Sequence, residues 1–433
     1  MRDVFDTCKL YDINAGIISI DQEKAFDRVD HKFLFTTLQA FGVGEGFLSW
    51  VRILYHEAFC VIKVGGGLSV PVPVGRGIRQ GCPISGQLYS IAIEPLLCRL
   101  RSRLRGLCLP EMSHSPPVVV SAYADDINII IQGHTDVQEL KESLALYEKA
   151  SSAKVNWGKS EAVLVGQWRV GDIPSLPGGI RWGRRGIKVL GVQLGTEEFQ
   201  KQNWEGVLDK VEAKLSKWRW LLPQLSYRGR ALVVNHLVAS SLWHKLIVLA
   251  PPPGLVKELQ RCLVNFFWSG QHWLKASVLY LPVAEGGQGL IDIQSRTAAF
   301  RLQTAQRLLY GSGQRWLDPA RLLLRKAGRL GMDKHLLLIR TTKADLTGLT
   351  SFYRSVLNAW QTLKVTRTPD QRPGMWVFEE PLQKNDLFPT ATFSSAALGT
   401  KCVEAGITKL GHLKRTSVET LCHTINIKSS KVI

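Results

Sequence analysis

The placement of three aspartates at the ends of apolar runs constrains this chain most. Residues 15–20 read AGIISI and stop at Asp21, while 118–123 and 127–131 are further apolar runs separated only by Ala124, Asp125 and Asp126. Short continuous apolar runs rich in β-branched residues have the composition of buried strands. The first predicts a strand, and the other two predict a hairpin with acids at its tip. Carboxylates just past buried strands sit at the rim of a sheet, where like charges repel unless a divalent cation bridges them. Asp is also common in turns, so Asp125-Asp126 taken alone reads equally as an ordinary turn.

The surrounding pattern alternates strands with helices. Asp30 is a predicted N-cap for a helix carrying Phe33, Leu34, Leu38 and Phe41 up to Gly42. Residues 57–73 alternate around Gly65-Gly66-Gly67 and read as a hairpin. A Gly-rich basic loop, GRGIRQGCP at 75–83, leads into an apolar periodic run at 84–104, predicted as a helix. Thr135 with Gln138 predicts a capping box for a helix to about Lys149. Segments 154–166 and 188–194 read as two more short strands. Residues 15–195 therefore predict an α+β layer arrangement. From Asn203 the periodicity is helical, through Leu208, Val211, Leu215 and Trp218, then 231–248 and 255–267. Beyond about residue 345 it weakens, and no element is assigned there.

Composition bounds the partners. With 433 residues, 45% of them apolar, the chain can bury a core and has the length of two or three domains. Residues 1–150 hold 15 Lys+Arg against 17 Asp+Glu, whereas 151–433 hold 40 against 19, within a net charge of +19. An acidic part beside a basic part suggests a cation-binding centre next to a surface that holds a phosphate backbone. The bland alternative is a merely soluble basic face. The stretch 231–253 is interrupted by Asn235, His236, His244 and Lys245, so no membrane span is expected. The N-terminus has no apolar signal-peptide region, which makes an intracellular address the default. Eight scattered cysteines without a C-x-x-C pair fit reduced thiols better than a zinc cluster.

Three stretches then occur in a telling order: Asp21-Gln-Glu-Lys-Ala-Phe26-Asp27, Arg79-Gln80-Gly81-Cys82-Pro83-Ile84-Ser85, and Ala122-Tyr123-Ala124-Asp125-Asp126. Together they resemble the palm motifs of reverse transcriptases, in particular those of non-LTR (LINE-type) retrotransposons. Asn156-Trp-Gly-Lys159-Ser160 is similar to the motif after the palm helix, and 189–192 to the primer-grip strand region. The resemblance covers about 1–310, strongest to 195. It implies a palm over 1–195, a helical thumb-like region over 196–310, and a basic C-terminal region over 311–433.

The resemblance also implies roles. Asp21 and Asp125 would ligate two Mg²⁺ or Mn²⁺ ions, with Asp126 as a weaker ligand and the main-chain carbonyl of Gln22 completing one sphere. Such a pair stabilises the attacking and leaving oxygens of an in-line phosphoryl displacement. Phe26 matches the position where a bulky ring excludes a 2′-hydroxyl, which implies a preference for deoxynucleotides. Arg79, Gln80 and Gly81 would meet the nucleotide and template, Tyr123 the primer end, and Lys159 would donate a proton or charge to pyrophosphate. Phe26 and Tyr123 also read as core aromatics, and Lys159 as a solvated side chain. Lys210, Lys214, Lys217, Arg219, Arg228 and Arg230, interleaved with Trp204, Trp218, Trp220 and Tyr227, would grip phosphates. The partners implied are an RNA template, a DNA primer and a dNTP, without a membrane. The nucleus is the favoured location and the cytoplasm the alternative.

The chain departs from that family in places. Only about twenty residues precede Asp21, so the fingers and the N-terminal endonuclease region of a parent element are expected to be missing. Cys422-His423 lacks partners at zinc-ligand spacing. Pro83-Ile-Ser-Gly86 stands where the family usually has Pro-Leu-Ser-Pro. Three readings follow: an RNA-directed DNA polymerase, a truncated inactive relic that binds nucleic acid, and a two-metal nuclease using the same acids.

Overall fold

The computed structural model describes residues 1–112, 114–363, 380–382, 384–385 and 401–414. The chain divides into two compact units, one over Asp3–Gln200 and one over Lys201–Ile433. Cys422-His423 lies outside the described residues.

The first unit is built on a five-stranded sheet. Its strands are β1 (Ala15–Ile20), β2 (Val120–Tyr123), β3 (Asp126–Ile131), β4 (Glu161–Val165) and β5 (Trp182–Gly183), in the order β2-β3-β1-β4-β5. The expected strand and hairpin are present. β1 is central and antiparallel to both β3 and β4, and side chains on both of its faces are buried, which explains its continuous apolar run. Ile18 and Ile20 of β1 and Ile127, Ile129 and Ile131 of β3 enter one core with two helices, Ser85–Arg103 and His134–Ser151. Burying each such isoleucine contributes about 1.5–3 kcal/mol. Gly16 has no Cβ because the Trp182 ring occupies that space, its nearest carbon 2.7 Å from where a Cβ would stand.

The local signals are realised in part. Asp30 caps the helix His31–Ala40, accepting from Phe33 N–H at 3.0 Å. Residues 59–73 pair as predicted, in two short antiparallel ladders. The Thr135/Gln138 capping box does not form. The helix begins at His134 behind Gly133 without a side-chain cap, and buried Asp136 accepts instead from Gln132 N–H at 2.8 Å and Arg105 N–H at 3.0 Å. The predicted strand at 154–166 is a turn followed by the shorter β4. The predicted strand at 188–194 is a separate hairpin, Gly186–Val189 with Val192–Gly195, turning at Leu190 and Gly191, both with positive φ. Two left-handed central residues match the twist of a two-residue hairpin.

The second unit is helical. Val207, Val211, Leu215, Val234, Val238, Leu242, Leu246, Leu259, Leu263 and Phe267 share one core. By length and composition alone, the helical run Tyr227–Val248 is apolar enough to cross a membrane. Val234, Val238, Leu242 and Leu246 of this run line the core while Leu232, Leu237 and Ile247 are exposed, and Asn235 is spent within the unit on Gly289 C=O and Ile291 N–H. A helix at Ser351–Thr362 falls where no element was predicted.

Candidate functional site

The β1/β3 register gathers the acids. Ile20 pairs with Ile127 in the last pair of the ladder, so Asp21, which follows Ile20, and Asp126, which precedes Ile127, lie at the same end of the sheet. Opposed Cα atoms in antiparallel ladders are about 5 Å apart. Tyr123 pairs with Asp126 across the β2/β3 hairpin, which leaves Ala124 and Asp125 as its two-residue tip. Ala124 takes φ +51°, a left-handed conformation that costs a non-glycine residue about 1–2 kcal/mol. Strain of this kind concentrates at functional sites.

Electrostatics reports the same convergence. Partial desolvation, then the charges of Asp125 and Asp21, push the Asp126 carboxyl above its ordinary range. Three mutually repelling carboxylates are a hard-oxygen donor set of the kind Mg²⁺ takes. Among the described residues no group of three or more His, Cys, Asp or Glu side chains is already closed around an ion position. Side chains that repel one another have no reason to close before a cation offsets their charge.

One turn fixes Asp21 from behind. Asp21 N–H donates to Ser160 Oγ at 3.1 Å, Asn156 N–H donates to Asp21 C=O at 2.8 Å, and Gln22 bridges to Val155. Lys159 rides on that turn with its side chain exposed.

On the other side the 75–83 loop is bonded to the segment after Asp21. Ile78 N–H donates to Phe26 C=O at 2.7 Å and Gly77 N–H to Val29 C=O at 2.8 Å. Gln80 Nε2 donates to Asp27 Oδ1 at 3.1 Å. Arg79 N–H donates to the Tyr55 hydroxyl at 3.4 Å, and its guanidinium lies 5.9 Å from that ring. Gly81, at φ +83°, has open space where a Cβ would stand.

Phe26 lies flat on Tyr89, with ring centroids 4.3 Å apart and planes 20° apart. Tyr89 is fully buried, and burial above all, with the charges of Tyr147 and Asp125, raises its phenol. In the sequence Tyr89 is one more apolar position of a periodic helix. Its place under Phe26 is a tertiary contact, which no local pattern encodes. Tyr123 is 70% exposed beside the acids, which excludes the core-aromatic reading.

In the second unit Lys210, Lys214 and Lys217 share an exposed face of Val207–Arg219 that flanks the buried stripe of Val207, Val211 and Leu215. Arg219 and Arg228 are exposed too, as are Trp220 and Tyr227. Arg230 does not belong with them. Its guanidinium donates to the carbonyls of Leu225, Phe267 and Leu222, so it ties helix ends together.

Residues 5–194 match the family of reverse transcriptases (RNA-dependent DNA polymerases), and the chain's homologues are proteins of non-LTR retrotransposons. It is 40% identical over 417 residues to the transposon TX1 uncharacterized 149 kDa protein of Xenopus laevis, covering 95% of this chain and 32% of that protein. It is 25% identical over 290 residues to the retrovirus-related Pol polyprotein from type-1 retrotransposable element R2 of Popillia japonica, covering 65% and 47%. The type-2 element R2DM polyprotein of Drosophila melanogaster is 23% identical over 309 residues, covering 66% and 27%. The chain thus spans between about a quarter and a half of the length of these relatives. Among solved structures, telomerase from Candida tropicalis with a TWJ fragment of telomeric RNA is similar at TM-score 0.39 and 11% identity, covering 70% of this chain and 48% of that one.

Proposed function

We propose that this chain carries the polymerising part of a non-LTR retrotransposon protein, an RNA-directed DNA polymerase that joins a DNA 3′-hydroxyl to the α-phosphate of a dNTP on an RNA template. The observation that carries this reading is the β1/β3 register, which brings Asp21 and Asp126 to the same end of the sheet beside the Asp125 tip. In this reading residues 1–195 are the palm, 196–310 the thumb-like region and 311–433 a basic appendage. Further segments of the parent element are its partners, and the nucleus is its location.

Asp21 and Asp125 would hold two Mg²⁺ or Mn²⁺ ions, with Asp126 as a weaker ligand and the main-chain carbonyl of Gln22 as a further one. When bound, the ions lower the barrier by stabilising the attacking and leaving oxygens. The protein's own share is positioning. Phe26, fixed on Tyr89, lies against the sugar and rejects a 2′-hydroxyl. The loop carrying Arg79, Gln80 and Gly81 meets the nucleotide, Tyr123 faces the primer end, and Lys159 gives a proton to the departing pyrophosphate. Lys210, Lys214, Lys217, Arg219 and Arg228 hold phosphates of the template and primer.

Primer extension on an RNA template with Mg²⁺ or Mn²⁺ tests the reading. Incorporation of dNTPs by the wild type and its loss in Asp125→Asn are expected. Salt-sensitive RNA binding without incorporation would leave the relic, and metal-dependent degradation without incorporation would leave the nuclease.

A further inference from the structure

The main chain of Asp21 is held by a side chain where the sheet would otherwise supply main chain. The β1/β4 ladder pairs Ser19 with Glu161, so its continuation would set Asp21 against Lys159. The chain leaves that course. Lys159 N–H and Ser160 N–H both turn inward to Asn156 C=O, each at 3.1 Å, and neither residue offers Asp21 a ladder bond. Ser160 Oγ takes the vacant acceptor position, receiving Asp21 N–H at 3.1 Å and donating its own proton to Asn156 C=O at 2.8 Å. Asn156 N–H returns to Asp21 C=O at 2.8 Å, which closes a ring of bonds around the two residues. Glu23 N–H to Lys154 C=O, at 2.9 Å, extends the seam. Ser160 is buried, so solvent is poorly placed to substitute for its hydroxyl.

We infer that Ser160 is a positioning residue for phosphoryl transfer: its hydroxyl fixes the main chain of Asp21 and locks it to the turn that carries Lys159. This rests on Asp21 being a metal ligand. Ser160 touches no reacting atom and acts through Asp21. A ligand one residue beyond the end of its strand has lost the ladder that would hold it, and small misplacements are costly where catalysis depends on geometry. A hydroxyl that accepts and donates at once supplies that hold; alanine supplies neither bond.

The test uses the full chain with Ser160→Ala, Ser160→Thr and Ser160→Cys. Primer extension should show kcat in S160A about tenfold below wild type, a loss near 1.4 kcal/mol, with KM for dNTP within about twofold. The Mg²⁺ midpoint should rise several-fold. S160T keeps a hydroxyl and should recover most of kcat; S160C should fall between, and it carries the test should S160A not fold. A lower melting temperature with unchanged kcat and Mg²⁺ midpoint would make Ser160 merely structural and overturn the inference.

A second readout does not need turnover. Mn²⁺ should raise the melting temperature of the wild type and raise that of S160A less. Equal shifts overturn the clamp alone, and the absence of any shift in the wild type overturns the metal assignment with it. A wild type that binds Mn²⁺ but incorporates nothing sinks the polymerase reading and leaves the clamp standing on the Mn²⁺ comparison.

Discussion

Replacing Gly77 by alanine attacks the junction between the 75–83 loop and the segment bearing Phe26. Gly77 has φ +95°, and a Cβ there would stand 3.0 Å from the carbonyl oxygen and 3.2 Å from the Cα of Asp27. Both neighbours are main chain, so no side chain can swing aside. The left-handed backbone costs alanine about 1–2 kcal/mol. Relieving the clash by withdrawing the loop weakens two hydrogen bonds, Gly77 N–H to Val29 C=O and Ile78 N–H to Phe26 C=O, at about 0.5–1.5 kcal/mol each. The expected destabilisation is therefore about 2–5 kcal/mol, and a unit of this size loses about 2–4 °C of melting temperature per kcal/mol. Differential scanning calorimetry measures the loss. Because the displaced loop carries Arg79, Gln80 and Gly81, steady-state primer extension should show KM for dNTP rising more than kcat falls. A melting temperature within about 1 °C of wild type, with KM unchanged, would refute the reasoning.

Three further outcomes are expected. Tyr89→Phe keeps the ring under Phe26 and should preserve discrimination between dNTP and rNTP, whereas Tyr89→Leu should lower that ratio; equal ratios in competition assays would separate Tyr89 from sugar selection. Changing Lys210, Lys214 and Lys217 together to Gln should reduce the log–log salt slope of RNA binding by about 0.7 for each phosphate that no longer meets a lysine; an unchanged slope in fluorescence anisotropy would remove that face from the interface. Burial opposes ionisation of Asp333, yet the His335 hydrogen bond and nearby positive charge win, and its carboxyl is held down to about 2. The folded value lies below the unfolded one, so this stability is complete above about pH 4 and disappears as the pH falls through 2. It amounts to about 2 kcal/mol. Asp333→Asn should flatten that acid limb in pH-dependent urea unfolding, and an unaltered limb would contradict it.

What the sequence disclosed follows from how local each determinant is. β1 announces itself because a strand covered on both faces must be apolar throughout, and Asp30 because an N-cap bonds only three residues ahead. The order of the acid-bearing motifs also survives in one dimension. The capping box at Thr135 failed because Asp136 is drawn into bonds with Arg105 and Gln132. The hairpin at Leu190-Gly191 was hidden because an apolar run does not announce the φ of a leucine. Tyr89 and Ser160 escaped for a shared reason: one acts through a ring 63 positions away in sequence and the other through a main-chain N–H 139 positions away. Their identities alone read as core aromatic and turn serine.

Anomalous scattering from crystals grown with Mn²⁺ and a primer–template tests the central claim most directly. The account predicts Mn²⁺ bound jointly by the carboxylates of Asp21 and Asp125, within about 2.0–2.6 Å coordination range of oxygen. Ions bound elsewhere, with the two carboxylates facing apart, would contradict it.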